Sequence, residues 1–327
     1  MKAFYRKYSR EFSVLIAIAI TFIFFGIMNP MYFTTTNIST IITQAVTYGL
    51  MGIGMTAIII TGGIDLSVGS ALALIASISA QLAKAGVPIW MWISICVVLG
   101  FAMGAFNGFL ISKLRLQPFV ATMGTMSIYR GLAYVITGGF PVLGVPRVYR
   151  NVFNLKITST LTISVIIFFV FAVLMTIILK KTRLGIHTYA IGGNEDAARL
   201  SGVRVDFTKI MIYGLGMLGT MLAGMVLVGR LGTGDPSTGS GYELDAIAAA
   251  AIGGTSMAGG RGNIFGTVLG AILFSALKVG LIVLGVDTFY QFIVTGVVII
   301  IAAYLEIVQG QFMSRKRIDK TAAAATR

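Results

Sequence analysis

Long apolar runs alternate with short polar segments along the whole chain of 327 residues. Apolar runs of about 17 to 25 residues are long enough to cross a membrane as helices. The pattern predicts ten spans, at residues 12–28, 38–60, 68–82, 90–111, 119–135, 161–179, 210–228, 244–252, 265–284 and 289–304. We therefore expect an all-α polytopic membrane protein that forms a single transmembrane domain over residues 1–327.

Two glycine-rich segments interrupt the apolar pattern, one in each half of the chain. The first break is residues 61–70, TGGIDLSVGS, and the second break is residues 253–263, GGTSMAGGRGN. Clusters of glycine and small polar residues end helices. A pair of broken helices in corresponding places is typical of transporters built from two related halves.

A polar island, residues 180–209, separates the sixth predicted span from the seventh and carries six Lys and Arg residues. Within it, Asn194 is expected to cap a short helix that has Glu195 and Asp196 in its first turn and that stops at Gly202. One side of this helix would consist of Ala197, Leu200 and Ser201. Such a helix is suited to dock into a groove of a soluble partner, although a solvated loop that only tethers two spans has the same composition.

Composition and charge exclude a soluble globular protein and orient the chain. Hydrophobic residues make up 57% of the sequence and the mean hydropathy is +0.91, far from globular averages. The net charge of +14 lies mainly beside apolar runs, which favours contact with anionic lipid and not with nucleic acid. On the ten-span pattern, 18 of the 25 Lys and Arg residues fall on one side. That side is expected to be cytoplasmic, with both termini and the basic tail, residues 310–327.

Acidic and amide side chains within or beside the apolar runs are the candidates for the transport path. A charge in such a place costs about 2.5 to 3.5 kcal/mol unless it is paired or hydrated, so a function is the default expectation. The candidates are Asp65, Ser67, Gln44, Asn107, Glu243 and Asp245. For the carboxylates the alternative is capping of freed backbone N–H groups, and for the amides it is packing by hydrogen bonds. Arg130 and Lys278 are expected to extend towards the membrane surface.

Other chemistry finds little support in the sequence. Cys96 and His187 are the single residues of their types, so neither a disulfide nor a His/Cys metal site is expected. A G-x-x-x-x-G-K-[ST] motif is absent, so any ATP must be bound by another chain. The GxGxxG at residues 214–219 lies in an apolar span and indicates helix packing. An intramembrane hydrolase using Ser256 would need His187 as its base, which lies in the polar island; we therefore expect no enzymatic activity.

Three motifs in order carry a resemblance over nearly the whole chain. They are ITGGIDLSVGSALAL around the first break, HTYAIGGNEDAARLSGV ending at Val203, and GYELDAIAAAAIGGTSMAGGRGNIFGTVLGA ending at Ala271. With them, the chain resembles the permease subunits of bacterial ABC importers for monosaccharides, the family that includes the ribose, arabinose, xylose and galactose systems. It departs from common members at Ala250 and Ala251 and in the basic outer loop, residues 138–158.

The resemblance implies a type II-like importer permease in the bacterial inner membrane. Its partners would be cytoplasmic ABC ATPases that bind ATP and Mg, a periplasmic sugar-binding protein, membrane lipid, and a second permease, either a copy of this chain or a similar one. No cofactor is implied on this chain itself. The coupling helix that enters the ATPase cleft would consist of Gly193, Asn194, Glu195, Asp196, Ala197, Ala198, Arg199, Leu200, Ser201 and Gly202. The alternative function is a proton-coupled secondary sugar transporter in which Asp65 or Glu243 carries the proton.

Overall fold

The computed structural model describes residues 9–158, 160–287, 289–301 and 304. The predicted tail, residues 310–327, lies outside the described residues. The helices are α1 (Ser9–Met28), α2 (Thr35–Ile60), α3 (Val68–Lys84), α4 (Ile89–Ser112), α5 (Pro118–Thr137), α6 (Arg147–Asn154), α7 (Ile163–Lys181), α8 (Arg183–Gly193), α9 (Glu195–Leu200), α10 (Val205–Leu231), α11 (Tyr242–Ile252), α12 (Ile264–Val283) and α13 (Phe289–Ile301). A 3₁₀ turn, Pro30–Phe33, follows α1, and strands β1 (Val142–Leu143) and β2 (Thr233–Gly234) pair antiparallel.

Each of the ten predicted spans coincides with a helix. Within the described part of the chain, α1, α2, α4, α7, α10 and α12 are long and apolar enough to cross a membrane. Helix α3 has 17 residues and α11 only 11, and both adjoin the glycine-rich breaks. The expectation of an all-α polytopic membrane protein with two helix breaks is confirmed.

Helices α2 and α10 form the buried centre of the bundle, and glycine lets their neighbours approach closely. A Cβ at Gly54 of α2 would overlap the backbone of Gly216 in α10, and a Cβ at Gly104 of α4 would overlap the carbonyl oxygen of Tyr213. Close backbone approach drives helix association in lipid, where burial of apolar surface gives little stabilisation. The packing interpretation of the GxGxxG segment is confirmed.

The polar island contains more helix than the sequence pattern indicated. Helix α8 occupies its first half, because the Thr182 hydroxyl accepts a hydrogen bond from Gly185 N at 3.3 Å and caps the helix start. Helix α10 also begins at Val205, five residues before the predicted start of the seventh span. Helices α8 and α9 therefore connect α7 to α10 almost without coil.

The loop at residues 138–158 contains β1 and helix α6, neither of which the sequence pattern predicted. Aromatic packing holds α6 in place. The Trp92 ring of α4 stacks edge-on against Tyr149 and Phe153, with centroids 5.3 and 5.9 Å apart, and Tyr149 donates a hydrogen bond to Val87 O at 2.5 Å. Local sequence patterns do not report such long-range contacts.

Candidate functional site

The short helix α9 has the two ends that the sequence predicted. Asn194 Oδ1 accepts a hydrogen bond from Ala197 N at 2.9 Å, which satisfies one of the free donors of the first turn. At the other end, Gly202 has a φ of +84° and its N–H donates to Arg199 O at 3.0 Å. Glycine is favoured there because the left-handed conformation is costly for residues with a Cβ.

The two sides of α9 differ in burial. Ala198 is buried against Ile191 of α8 and Val205 of α10, whereas the predicted docking side, Ala197, Leu200 and Ser201, is exposed. Leu200 is 90% exposed. A leucine at the tip of a helix, surrounded by polar residues, is suited to enter an apolar pocket of a partner.

A network of ion pairs, which we call the charge clamp, fixes α9 to the rest of the bundle. Its members are Lys113, Glu195, Arg199, Asp206 and Lys209. Glu195 is bound by Lys209 Nζ at 2.6 Å and by Arg199 Nη2 at 3.2 Å. Asp206 is bound by Lys113 Nζ at 2.9 Å and by Arg199 Nη2 at 3.5 Å. Glu195 and Arg199 of α9 are therefore paired with residues of α10, and Lys113, which follows α4, joins the network through Asp206. Glu195 and Arg199 thus position the helix.

A cavity of about 710 Å³ opens between α9 and the first break. Its walls include Gly62 and Gly63 of the break, Arg115 after α4, and Lys209 and Tyr213 of α10. The island end of the bundle thus combines an exposed helix, its charge clamp and a cavity that reaches the first break.

The first break is closed by a buried knot of polar side chains. Asp65 Oδ1 accepts hydrogen bonds from Ser67 N at 2.9 Å and from Ser67 Oγ at 2.6 Å. Asn107 Nδ2 of α4 donates to Asp65 Oδ2 at 3.0 Å and to Ser67 Oγ at 2.8 Å. All three side chains are fully buried. The Tyr129 hydroxyl donates to Met103 O at 2.9 Å and lies 3.5 Å from Asn107 Oδ1. These three candidates for the transport path form the capping and packing arrangement that was the alternative explanation.

Asp245, on the half-length helix α11, has a cationic partner. Lys278 Nζ of α12 lies 2.7 Å from Asp245 Oδ2, and both side chains are largely buried. The ammonium group is also 4.9 Å from the ring centroid of Tyr48 and 5.0 Å from that of Phe274, distances at which cation–π attraction contributes. The expectation that Lys278 extends towards the membrane surface was wrong, because an acidic partner lies within reach in the neighbouring helix.

Arg130 also departs from the expectation of extension to the surface. Its Nη1 donates to the carbonyl oxygens of Pro236 and Thr238, at 2.5 and 2.7 Å. These carbonyls belong to the loop between β2 and α11, so Arg130 ties α5 to that loop. The general signal was in the sequence, since a charged group in an apolar span is paired or hydrated, but the partner depended on the fold.

The remaining two candidates, Gln44 and Glu243, belong neither to the buried knot nor to the ion pair of Asp245. Gln44 Oε1 and Glu243 Oε2 are buried atoms for which the described part of the chain provides no hydrogen-bond partner. Glu243 packs closely against α3, because a Cβ at Gly69 would overlap its Oε2. Among the six candidates, these two keep an unused polar atom.

Burial also affects one tyrosine of the island end. Tyr189 of α8 donates a hydrogen bond from its hydroxyl to Gly262 O in the second break, at 2.9 Å. Burial raises the pKa of this phenol, so it stays protonated and remains a donor at neutral pH.

Comparisons with known proteins agree on one family. A family described as "Branched-chain amino acid transport system / permease component" matches residues 37–303. The chain is 42% identical to the ribose import permease protein of Bacillus subtilis, over 86% of this chain and 88% of that protein. It is 38% identical to the D-allose transport system permease protein of Escherichia coli, over 93% and 92% of the two chains. It is also 32% identical to the galactose/methyl galactoside import permease protein of that organism, over 93% and 96%.

No solved structure matches the chain. The family match spans both helix breaks, the polar island and the helices that connect them, and the relatives are matched over most of their own length. These are the parts from which the buried knot, the charge clamp and the exposed helix α9 are built. The chain belongs to this family of transport-system permease components and is a multi-pass inner-membrane protein.

Proposed function

We propose that the chain is the pore-forming subunit of an ATP-driven, binding-protein-dependent importer of a monosaccharide. The substrate class rests on the relatives, which are permeases for ribose, allose and galactose. The assembly would contain a second permease, ATPase subunits that bind ATP and Mg at the island end, and a sugar-binding protein at the opposite end. Both termini would lie in the cytoplasm, in accord with the excess of Lys and Arg on that side.

The observation that supports ATP-driven transport most directly is the form of α9. It exposes Leu200 at the tip of a helix in which Glu195 and Arg199 are already paired in the charge clamp. A helix displayed in this way is a binding element for a groove. Because the clamp joins α9 to α4 and α10, a force on α9 would act on the bundle as a rigid-body displacement.

Separate subunits for energy and for sugar selection explain why four of the six candidates for the transport path are held by polar contacts within the bundle. A separate binding protein would select the sugar, so the permease would need only a polar passage and no tight site. Asp65, Ser67 and Asn107 then stabilise the helix break beside the passage. The unused oxygen atoms of Gln44 and Glu243 are the groups left to contact water or a passing hydroxyl.

The test replaces Leu200 and a matched leucine at the other end of the molecule. Tagged protein is solubilised from its native membrane in mild detergent, and the co-purifying P-loop ATPase is quantified. We expect about equal amounts of ATPase with the unchanged chain. Leu200→Asp should lower the retained ATPase about tenfold, because an interface anchor is lost and a charge enters its pocket. Leu143→Asp changes a leucine in β1 that is 61% exposed and should keep the ATPase within about twofold.

Two outcomes would contradict the proposal. If the unchanged chain purifies alone in several detergents, ATP is not the energy source, and uptake that collapses with the proton gradient would favour a secondary transporter. If the Leu200→Asp protein retains the ATPase as well as the Leu143→Asp protein does, the docking surface is not the exposed side of α9.

A further inference from the structure

Three segments from distant parts of the chain meet at one point directly behind α9. We call this point the glycine junction and define it as Ile60, Gly62, Gly192, Gly259 and Gly260. The first two residues end α2 and open the first break, Gly192 lies at the end of α8, and the last two belong to the second break. The junction therefore touches both breaks and the helix that leads into α9.

The contacts at this point are between backbones. Gly260 N donates a hydrogen bond to Ile60 O at 2.9 Å. A Cβ at Gly192 would overlap that same carbonyl oxygen. Gly259 and Gly260 have φ values of +85° and +70°, and a Cβ on Gly259 would lie 3.0 Å from both Gly192 O and Gly62 N. The junction is consequently packed as closely as backbones permit.

The glycine junction lies close to α9, so its packing bears on how a movement of α9 would be transmitted. Gly192 is two residues before Asn194, whose side chain caps α9. One turn earlier on α8, Tyr189 donates its hydrogen bond to Gly262 O of the second break. Without intervening side chains, a displacement of α8 and α9 reaches the backbones of both breaks directly, since tightly packed interiors transmit strain.

We propose that Gly192 is a positioning residue that transmits the movement of α9 to both helix breaks through the glycine junction. This inference rests on the proposed function, because it takes α9 as the element that the ATPase moves. It goes further by naming the single point at which that movement divides between the two halves of the chain. Any side chain at Gly192 would separate Ile60 O from Gly260 N and weaken the link.

The chain offers a control glycine outside the polar island. Gly124 is likewise a helical glycine, on α5, but a Cβ there meets no atom within 4 Å. Gly192→Ala and Gly124→Ala proteins are reconstituted with the ATPase and the binding protein, and ATP hydrolysis and sugar uptake are both measured per amount of folded complex. For Gly192→Ala we expect the ATPase to be retained and basal hydrolysis to continue, while sugar taken up per ATP falls about tenfold. Gly124→Ala should stay within about twofold of the unchanged protein.

A second variant covers the case in which Gly192→Ala does not fold. Tyr189→Phe removes the hydrogen bond to Gly262 O without adding volume, and it should lower uptake per ATP about threefold at normal protein yield. A merely structural role would reduce the yield or the melting temperature of the complex and leave the ratio of uptake to hydrolysis unchanged.

The outcomes separate this inference from the proposed function. If the Gly192→Ala and Gly124→Ala proteins have equal uptake per ATP, with the ATPase retained, the junction does not transmit movement and the proposed function stands. If Tyr189→Phe and a folded Gly192→Ala protein both keep the ratio of uptake to hydrolysis unchanged, the junction likewise does not transmit movement. If the unchanged protein neither binds an ATPase nor couples uptake to hydrolysis, the proposed function fails and the inference fails with it.

Discussion

The two helix breaks both contain non-helical backbone, and they satisfy its N–H and C=O groups in different ways. The first break follows α2, a full-length helix of 26 residues, and its polar groups are gathered around the buried carboxylate of Asp65. The second break follows α11, which has 11 residues and is about 16 Å long, roughly half the hydrocarbon thickness of a membrane. Its charged residue is Arg261, and backbone contacts hold it, including the hydrogen bond from Ser256 N to Arg261 O at 2.9 Å.

The difference shows what non-helical backbone requires inside a membrane protein. Each N–H and C=O group needs a partner, which a side chain or another backbone segment can supply. The first break uses side chains, so it should depend on the chemistry of particular polar residues. The second break uses glycine and close approach, and the helix before it is secured by a separate ion pair. Substitutions of polar residues should therefore affect the two regions by different amounts.

The largest effect is expected at the ion pair that secures α11. Lys278→Met removes the cation and leaves the Asp245 carboxylate buried without its partner, which costs about 3 to 5 kcal/mol of unfolding free energy. The measurement is denaturant unfolding of the purified protein in detergent. The free energy of unfolding should fall by several kcal/mol, and uptake should be lost because α11 leads into the second break.

The double variant Asp245→Asn, Lys278→Met provides the control for this prediction. With both charges removed, most of the lost stability should return, since the cost comes from the uncompensated charge and not from missing packing. If the double variant is as unstable as Lys278→Met alone, the cation–π contacts with Tyr48 and Phe274 contribute more than the ion pair.

A smaller effect is expected in the buried knot, where the partners of the carboxylate are neutral. Asn107→Leu keeps the side-chain volume but removes the donor to Asp65 Oδ2 and Ser67 Oγ, at a cost of about 1.5 to 3 kcal/mol, the range for hydrogen bonds to charged groups. Tyr129→Phe removes a neutral hydrogen bond to Met103 O and should cost about 1 kcal/mol. If the two variants lose equal free energy of unfolding in the same assay, Asn107 does not stabilise a charged Asp65.

The sequence predicted the spans and the ends of α9 because these depend on local patterns. The length of an apolar run can be read directly, and Asn194 and Gly202 each bond a residue three positions away. It failed for α6, which is short and polar and depends on aromatic packing against Trp92 of α4. It also missed α8, whose Thr182 cap is a local signal that the pattern of apolar and polar residues does not show. It also failed for the partner of Lys278, because Asp245 is 33 positions away and only the packing of α11 on α12 joins them. The burial of the knot was likewise an effect of tertiary structure.

The smallest effect is expected where the second break ends. Asn263 Oδ1 accepts a hydrogen bond from Phe265 N at 3.3 Å and caps α12, while its Nδ2 donates to Glu11 Oε1 of α1 at 2.9 Å. Asn263→Ala should lower the free energy of unfolding by about 1 kcal/mol, the usual cost of a lost N-cap. Asn263→Ser keeps a capping oxygen and loses the contact with Glu11. It should therefore recover most of the unfolding free energy that Asn263→Ala loses. If the serine variant is as unstable as the alanine variant, the contact with α1 stabilises this end of the break, and the second break then depends on a polar side chain as the first one does.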